Sequence, residues 1–402
     1  MKREYSLILW GATGFTGALT AHYIQKNYGK DLCWAIGGRN IDKLQKIQND
    51  LSEYGYNLPS IVTGDSLSKE DMDAIAHRAR VICSTVGPYA AYGSLLVEAC
   101  VHQKTHYCDL TGESVWIRSM IDRFHKQAIE NQVRIVHCCG FDSIPSDIGV
   151  YLLQKQSEQE QGSPQKNVTF YAGKSKGGFS GGTIASMMLM MQEAKNPQKR
   201  KILGNPYGLN PKDGYRGPDG RDQYGLAFDK QLQGWTAPFI MAGINTRVVR
   251  RSNALMDYRY GKDFRYREVM SLPKGIRGWT MGMLISMVLS GFIFAATISP
   301  IRKHILSRFL PKPGEGPSKE KRESGYFNIL IKGENAYVKV KGFQDPGYGE
   351  TSKMLGESAM TLVLEEESLP DSFGVVTPAS AMGDILLKRL RSAGMVFSFH
   401  TD

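Results

Sequence analysis

A chain of 402 residues exceeds the usual size of one domain, so two domains are expected. Its composition, 42% hydrophobic and 22% charged residues, is that of a globular protein and excludes a disordered chain. The formal net charge of +11 favours anionic partners such as acidic lipids and phosphorylated ligands. Nucleic acid is not an expected partner, because the charge comes without an arginine-rich tract, a zinc-finger spacing or an RNA-binding signature.

From residue 5 to about residue 147, short β-rich apolar runs alternate with amphipathic helical stretches. The predicted strands are Ser6–Trp10, Cys33–Gly37, Ile61–Gly64, Val81–Thr85, His106–Asp109 and Arg134–Cys138. The predicted helices are Gly17–Asn27, Asn40–Tyr54, Lys69–Arg80, Ser94–Lys104 and Ser114–Asn131. This alternation predicts an α/β fold with a Rossmann-type doubly wound parallel sheet over residues 1–150. The carboxyl ends of its strands should meet at one ligand-facing edge.

The polar stretch Gln154–Lys166 marks the predicted end of this first domain. The elements predicted after it are a strand, a Met-rich helix and two further strands: Asn167–Gly173, Thr183–Ala194, Gly325–Gly333 and Ala336–Lys341. They favour a second, α+β domain with a mixed sheet over residues 151–365. A helix over Thr377–Leu390 lies in the C-terminal segment 366–402, which we expect to return to the first domain.

The apolar segment 278–301 departs from the pattern of the rest of the chain. No charged residue lies between Arg277 and Arg302, and the flanks of the segment are basic. It is long enough to cross a bilayer, and its core, residues 280–298, has a mean hydropathy in the transmembrane range. Because a full crossing would separate the C-terminal segment from the first domain, we expect an embedded hairpin or an interfacial helix, with peripheral or monotopic attachment on the cytoplasmic side. The alternative is a buried helix in an oligomer interface, such as that of a homodimer.

The cysteines and the N-terminus indicate the compartment. The six cysteines form no C-x-x-C pair, and no secretory h-region precedes the first strand. A reducing, cytoplasm-facing location is therefore expected, with the thiols packed as small core residues. His102, His106 and Cys108 could suggest a metal ligand set. They fall where a predicted helix gives way to a strand, so no metal is expected.

The strongest motif is glycine-rich and lies directly after the first predicted strand. It comprises Gly11, Ala12, Thr13, Gly14, Phe15, Thr16 and Gly17. Gly11 permits the tight turn, Gly14 lets a pyrophosphate approach the backbone, and Gly17 lets the helix pack close to the sheet. The free N–H groups and positive dipole end of the first helix would hold the phosphates, so the motif predicts a dinucleotide site.

The end of the second predicted strand indicates which dinucleotide binds. An NAD-selective site places a carboxylate there for the ribose 2′-hydroxyl, whereas this chain has Arg39, with Lys43 one turn onward. Arg39 can form a bidentate pair with a 2′-phosphate, so NADPH is the predicted cofactor. A solvated loop arginine is the alternative. Asp65, followed by Ser66, can accept a hydrogen bond from the adenine amino group or cap the next turn.

Two further turns should reach the same edge of the sheet. Residues predicted to line the nicotinamide side of the cofactor are Thr85, Val86, Gly87 and Pro88. Tyr89 and Asp142 are candidate catalytic residues, because each can take part in a proton transfer. Tyr92 and Ser143 are candidate substrate contacts. The tyrosines can equally serve as walls of the cleft.

A second glycine cluster lies between a predicted strand and a predicted helix. Its candidate substrate contacts are Lys176, Gly178, Ser180, Gly181, Gly182 and Thr183. Lysines, hydroxyls and exposed backbone amides can cradle an anion, such as a carboxylate or a phosphopantetheine phosphate. Close packing of two domains would demand the same glycines, so both interpretations stand.

Six segments together resemble the saccharopine dehydrogenase-like oxidoreductases. They are residues 11–17, 85–89, 140–147, 176–187, 345–348 and 377–384. Within that group the chain resembles the mycobacterial trans-acting enoyl reductases over nearly its whole length. The resemblance implies NADPH-dependent reduction of an α,β-double bond on a polyketide chain carried by a synthase, in lipid and glycolipid biosynthesis. It also implies membrane association, as in animal relatives.

The leading hypothesis is therefore an enoyl reductase that acts on a small-molecule or carrier-bound acyl substrate. Hydride from NADPH would reach the β-carbon, and Tyr89 or a water held by Asp142 would protonate the α-carbon. One alternative is a saccharopine-type dehydrogenase of an amino-acid conjugate, which needs a polar pocket lined by arginines such as Arg247, Arg250 and Arg251. The other is a non-enzymatic, NADPH-sensing membrane scaffold.

Overall fold

In the computed structural model, which describes residues 3–177, 181–297 and 316–402, the first sheet has seven parallel strands. They are β1 Tyr5–Trp10, β2 Trp34–Gly38, β3 Ser60–Thr63, β4 Ala79–Ser84, β5 His106–Asp109, β6 Arg134–Val136 and β13 Gly374–Val376. Their order is β13-β6-β5-β4-β1-β2-β3, and neighbouring strands pair in parallel. The predicted Rossmann-type sheet is confirmed, with one additional strand from near the C-terminus.

Helices cover both faces of this sheet because both faces of its strands are apolar. In β1, Leu7 and Leu9 pack into one buried cluster, and Ile8 and Trp10 pack into another. Burial of a strand on both faces is typical of doubly wound parallel sheets. The helices that follow these strands are α1 Phe15–Tyr28, α2 Ile41–Leu51, α3 Lys69–Arg78, α4 Tyr89–Tyr92, α5 Ser94–His102, α6 Ser114–Glu130 and α7 Ile144–Gln161.

The second sheet is mixed, as predicted. Its strands are β7 Asn167–Lys176, β8 Ala227–Asp229, β9 Gly234–Pro238, β10 Arg265–Ser271, β11 Tyr326–Lys332, β12 Ala336–Gly342 and β14 Val396–Thr401. They lie in the order β14-β12-β11-β7-β10-β9-β8; β7 and β10 pair in parallel, and the other neighbours are antiparallel. The remaining helices are α8 Gly181–Glu193, α9 Pro197–Gly204, α10 Ala242–Leu255, α11 Gly275–Thr297, α12 Lys319–Glu323, α13 Thr351–Leu364 and α14 Pro378–Ser392.

The chain does not pass from one sheet to the other through a simple linker. Helix α7 runs through much of the polar stretch predicted as a boundary, so residue 150 lies inside a helix. The helix ends at Gln161, and the next residue, Gly162, has a φ of 76°, the left-handed conformation favoured after helix C-termini. After residue 365 the chain contributes to both sheets, since β13 pairs with β6 and β14 pairs with β12. β14 thereby pairs with the side of β12 that would otherwise be an unpaired sheet edge.

A buried carboxyl group joins three helices of this assembly. Asp147 in α7 accepts a hydrogen bond from the Ser252 hydroxyl of α10 at 2.5 Å and one from the Ala379 N–H of α14 at 2.8 Å. The Ser252 hydroxyl also lies 2.7 Å from that of Thr377. Burial raises the pKa of Asp147 to about 7, despite both hydrogen bonds. Asp147 thus links α7 to α10 and to the start of α14.

Two arginines of α10 are held in ion pairs within the protein. Arg247 pairs with Asp222, and Arg250 pairs with Asp219 at 2.6 Å. All four side chains are largely buried. These guanidinium groups are therefore occupied by carboxylates of the chain itself rather than facing a substrate pocket.

Arg251, the third arginine of this run, is fully buried and has no carboxylate partner among the described residues. It donates to the backbone carbonyls of Leu209 and Val375. Burial lowers its pKa to about 9. Because Val375 belongs to β13, the side chain ties α10 to the first sheet.

The apolar segment predicted to meet a membrane forms most of α11. Residues 298–301 of that segment lie outside the described part of the chain. Among the residues that are described, no helix combines the length and apolar character needed to cross a bilayer. Several large apolar side chains of α11 are nevertheless exposed, including Ile276, Met281, Leu284, Met287 and Val288.

We expect Arg251→Met to lower the free energy of unfolding by about 2–3 kcal/mol, because two buried carbonyls lose their donor. Chemical denaturation followed by circular dichroism measures the change. Arg259→Met is the matched control, since Arg259 forms a half-exposed ion pair with Glu158 and should contribute less than about 1 kcal/mol. Equal losses in the two variants would contradict the structural role of Arg251.

Candidate active site

The glycine-rich loop after β1 is shaped by two close contacts. Gly11 has a φ of 92°, and a Cβ there would lie 2.6 Å from Cγ2 of Val86. A Cβ on Gly17 would lie 2.2 Å from the carbonyl oxygen of Gly11. Gly14 directly precedes α1. The turn and the start of the helix therefore carry no Cβ at residues 11, 14 and 17, which leaves a cradle that fits a dinucleotide pyrophosphate.

The turn after β4 lies beside this loop, as predicted. The Thr85 hydroxyl donates to the Gly11 carbonyl at 3.0 Å, and the Thr85 N–H donates to the Trp10 carbonyl at 2.9 Å. Val86 reaches Gly11 through its side chain, and Gly87 is exposed. Of the other motif residues, Ala12 is buried and the rest are partly exposed: Thr13, Phe15, Thr16 and Pro88.

Arg39 and Lys43 lie at the carboxyl end of β2 and in the first turn of α2. Both are exposed. Asn40 caps α2 by accepting a hydrogen bond from the Lys43 N–H at 2.9 Å, which fixes the direction in which the helix leaves the strand. Neither cation has an ion-pair partner in the described part of the chain. Both charges are therefore available to a phosphate on a ribose held by the glycine-rich loop.

Asp65 and Ser66, after β3, are engaged in local structure. Asp65 is exposed, and one of its carboxylate oxygens accepts a hydrogen bond from the Leu67 N–H at 3.0 Å. Ser66 is buried, and its hydroxyl accepts a hydrogen bond from the Trp10 indole at 3.0 Å. This placement gives Ser66 a structural role in the core, while Asp65 takes the turn-capping role that was its predicted alternative.

Tyr89 does not offer a proton to the cleft, contrary to the hypothesis that it is a catalytic acid. The side chain is buried, and its hydroxyl donates to the carbonyl of Ser84 at 3.0 Å. Burial and the neighbouring Asp109 raise its pKa well above the ordinary range. Its ring packs against Trp116, with centroids 5.5 Å apart. Tyr89 is therefore part of the buried core, and it is not among the residues that line the cavity described below.

Glu113 is a site residue that the sequence pattern did not indicate. Its fully buried carboxyl group accepts hydrogen bonds from the N–H groups of Tyr89 and Ala90 at 2.9 and 2.8 Å. It also accepts one from the Ser186 hydroxyl of α8 at 2.7 Å. Burial raises its pKa. Glu113 thus fastens the turn after β4 to the helix that follows the second glycine cluster.

A cavity of about 660 Å³ lies between the carboxyl edge of the first sheet and one face of the second. Most of its wall residues come from three sources. The first sheet contributes Leu110 and residues 140–142, and the second sheet contributes side chains such as Phe170, Met270 and Phe327. Helix α11 closes the remaining side with Leu284, Ile285, Val288, Leu289 and Phe292. Such a lining favours a long apolar ligand.

Asp142 is the one ionisable side chain that lines this cavity within the described residues. Its carboxyl group has no hydrogen-bond or ion-pair partner in that part of the chain. Desolvation alone raises its pKa to about 7. A carboxyl group of this kind exchanges a proton near neutrality, so the predicted catalytic residue Asp142 has the chemistry that the role requires.

The predicted substrate contacts Ser143 and Tyr92 lie elsewhere. Ser143 is fully buried, and its hydroxyl donates to Oδ1 of Asn245 at 3.1 Å. Asn245 in turn donates to Glu268 at 2.9 Å, so Ser143 belongs to a buried polar network. Tyr92 is partly exposed at the end of α4 and is not among the residues that line the cavity.

The second glycine cluster borders the cavity at the end of β7. Lys176 is exposed and donates to the Ser324 hydroxyl at 3.1 Å, while Ser175 and Gly177 line the cavity. A Cβ on Gly177 would lie 2.1 Å from Oδ1 of Asp345, so this glycine is needed for close packing. Gly178 and Ser180 lie outside the described residues. The backbones of Gly181, Gly182 and Thr183 form the first turn of α8.

We expect Arg39→Ala to weaken NADPH binding about 10- to 100-fold and to leave NADH binding unchanged, because only NADPH carries the 2′-phosphate. Quenching of intrinsic fluorescence by each dinucleotide measures the two dissociation constants. Lys46→Ala is the matched control, since Lys46 is also an exposed cation of α2. A variant that loses affinity for both dinucleotides equally would show that Arg39 does not read the phosphate.

The arrangement just described has counterparts among known proteins. Residues 7–136 match the family model of the saccharopine dehydrogenase NADP binding domain. The chain is 36% identical to a trans-acting enoyl reductase of Mycobacterium ulcerans (strain Agy99), covering 99% of this chain and 98% of that protein. A further protein, from Mycobacterium tuberculosis (strain H37Rv) and provisionally given the same name, is 41% identical over 98% of this chain and 97% of its own length.

A solved structure shares the overall fold. Apo saccharopine dehydrogenase (L-Glu forming) from Saccharomyces cerevisiae superposes with a TM-score of 0.53, covering 99% of this chain and 100% of that one. At 12% identity this likeness shows the fold alone. The sequence relatives, by contrast, extend over both sheets and the cavity between them. The chain therefore belongs to the family of the trans-acting enoyl reductases, within the saccharopine dehydrogenase-like oxidoreductases, and is an NADP-dependent oxidoreductase that uses NADPH.

Proposed function

We propose that this protein reduces the α,β-double bond of a lipid-like acyl chain. The observation that carries the proposal is the apolar cavity with a single carboxyl group, Asp142, in its described lining. The cavity meets the carboxyl ends of the strands of the first sheet, where ligands of this fold bind. An acyl chain fits such walls, and its reacting end would lie beside Asp142.

The chain's own residues account for the proton in this reaction. When bound, NADPH supplies the hydride that reaches the β-carbon. Asp142, in its protonated form, supplies the proton that reaches the α-carbon, so two hydrogen atoms are added across the double bond. The apolar walls exclude water and keep the carboxyl pKa near 7, which maintains a protonated fraction at neutral pH. Tyr89 and Glu113 hold the turn after β4 in place without donating a proton.

The relatives' name, trans-acting enoyl reductase, supports a substrate that is delivered by another protein. We therefore propose an acyl group presented on a carrier, such as that of a polyketide synthase, for lipid or glycolipid biosynthesis. Lys174 and Lys176 are exposed on β7, next to Ser175 and Gly177 of the cavity lining. Their charges suit a phosphopantetheine phosphate beside this part of the cavity lining. The saccharopine-type alternative loses its support, because Arg247, Arg250 and Arg251 are bound within the protein.

We expect Asp142→Asn to lower kcat for an enoyl thioester about 100-fold or more and to leave NADPH affinity unchanged. The wild-type rate should fall as the pH rises through about 7, because the protonated carboxyl group is lost, and the residual rate of the variant should not follow this profile. NADPH oxidation against a panel of enoyl thioesters measures both.

Asp384→Asn is the control for this experiment, since Asp384 forms an ion pair with Lys155 on the surface. Full activity of the Asp142→Asn variant would show that the Asp142 carboxyl group takes no part in the mechanism. Tight NADPH binding without turnover of any enoyl thioester would instead favour the NADPH-sensing scaffold.

We also propose that the protein attaches to the cytoplasmic face of a membrane through α11. The outer face of the helix exposes Ile276 and Met287, at 72% and 59%, and no acidic residue lies within α11. Lys274 and Arg277 are exposed at its start. An apolar face with basic flanks is suited to an anionic lipid surface. A homodimer interface over the same face is the competing outcome.

We expect the wild-type protein to float with vesicles of phosphatidylcholine and phosphatidylserine, and Met287→Glu to remain in the dense fraction, because a carboxylate would enter the acyl region. Ile129→Glu adds the same charge at an exposed site of α6 and should float like the wild type. Size-exclusion chromatography with light scattering distinguishes the dimer. If Met287→Glu converts a dimer to a monomer and neither form floats, α11 is an oligomer contact.

A further inference from the structure

The cavity and the exposed face of α11 share one edge. Leu284 and Val288 line the cavity, yet they are 58% and 63% exposed. Ile285, Leu289 and Phe292 line the same cavity and are only partly exposed. Residues four apart on a helix lie one above the other, so Leu284 and Val288 form a continuous apolar row along the rim. The cavity is therefore open at the side, over this row.

The wall of the cavity beside Asp142 is formed by packed residues. The Phe141 N–H donates to the Thr351 hydroxyl at 3.1 Å, and the Phe141 ring packs on Phe327 with centroids 4.8 Å apart. Asp142 follows in the same turn. The cavity thus extends from the turn that holds Asp142, beside the nucleotide-binding sheet, to an apolar rim on the surface.

We infer that acyl chains enter the cavity sideways, from a lipid phase, over the rim formed by Leu284 and Val288. Every methylene group of a chain that passes through water costs free energy, whereas a chain that slides along an apolar rim stays out of water throughout. Helix α11 then has two functions on its two faces: the outer face contacts the lipid, and the rim admits the substrate. The inference rests on the proposed function, because it takes the cavity to be an acyl site.

Loading of a fluorescent fatty acid tests the entrance without relying on catalysis. cis-Parinaric acid is incorporated into vesicles of phosphatidylcholine and phosphatidylserine, and its transfer to the protein is followed by stopped-flow fluorescence. Val288→Trp fills the rim and should slow transfer about tenfold. Met283→Trp is the matched control on α11, since Met283 is 38% exposed and is not part of the cavity lining; its transfer rate should equal that of the wild type.

The outcomes separate this inference from the proposed function. Equal transfer rates for Val288→Trp and Met283→Trp would overturn the side entrance, and so would a wild-type protein that takes up no parinaric acid. NADPH binding reports whether each variant is folded, because the glycine-rich loop is remote from α11 in sequence and belongs to the other sheet. Rapid loading over the rim without reduction of any enoyl thioester would leave the entrance intact and defeat only the proposed reaction.

Discussion

The close approach of Gly17 to the carbonyl of Gly11 is the contact on which the rest of the site depends. With only 2.2 Å between that oxygen and the place of a Cβ, no side chain can stand between the start of α1 and the end of β1. The Thr85 hydroxyl donates to the same carbonyl, so the turn after β4 is aligned by the same atom. The predicted sites for the pyrophosphate and for the nicotinamide side of the cofactor are thereby fixed relative to each other.

On the cavity side of the site, desolvation sets the pKa of Asp142. The cavity walls are apolar, and they leave Asp142 without a partner among the described residues, which is why its pKa lies near 7 rather than near 4. Ion pairing would have the opposite effect on such a carboxyl group. The arginines that could have supplied it are instead held by Asp219, Asp222 and backbone carbonyls, away from the cavity.

A few buried polar groups join the helices and turns around the two sheets, so that both sheets contribute to one site. Glu113 connects the turn after β4 to α8, and Asp147 connects α7 to α10 and α14. Each group has several donors, so its burial is compensated. Helix α11 is apolar on more than one face: one side of the helix encloses the cavity, and the other exposes large apolar side chains such as Ile276 and Met287.

The sequence by itself determined the first sheet, the mixed character of the second, the glycine-rich loop and the choice of NADPH. These depend on local periodicity and on backbone conformations that particular residues require. Only the tertiary structure decided the roles of Tyr89, Ser66, Ser143 and Glu113, because burial and hydrogen-bond partners come from residues distant in the chain. Tyr89 and Asp142 are both proton-bearing residues near the carboxyl edge of the first sheet; packing buried the first in the core and left the second lining a cavity.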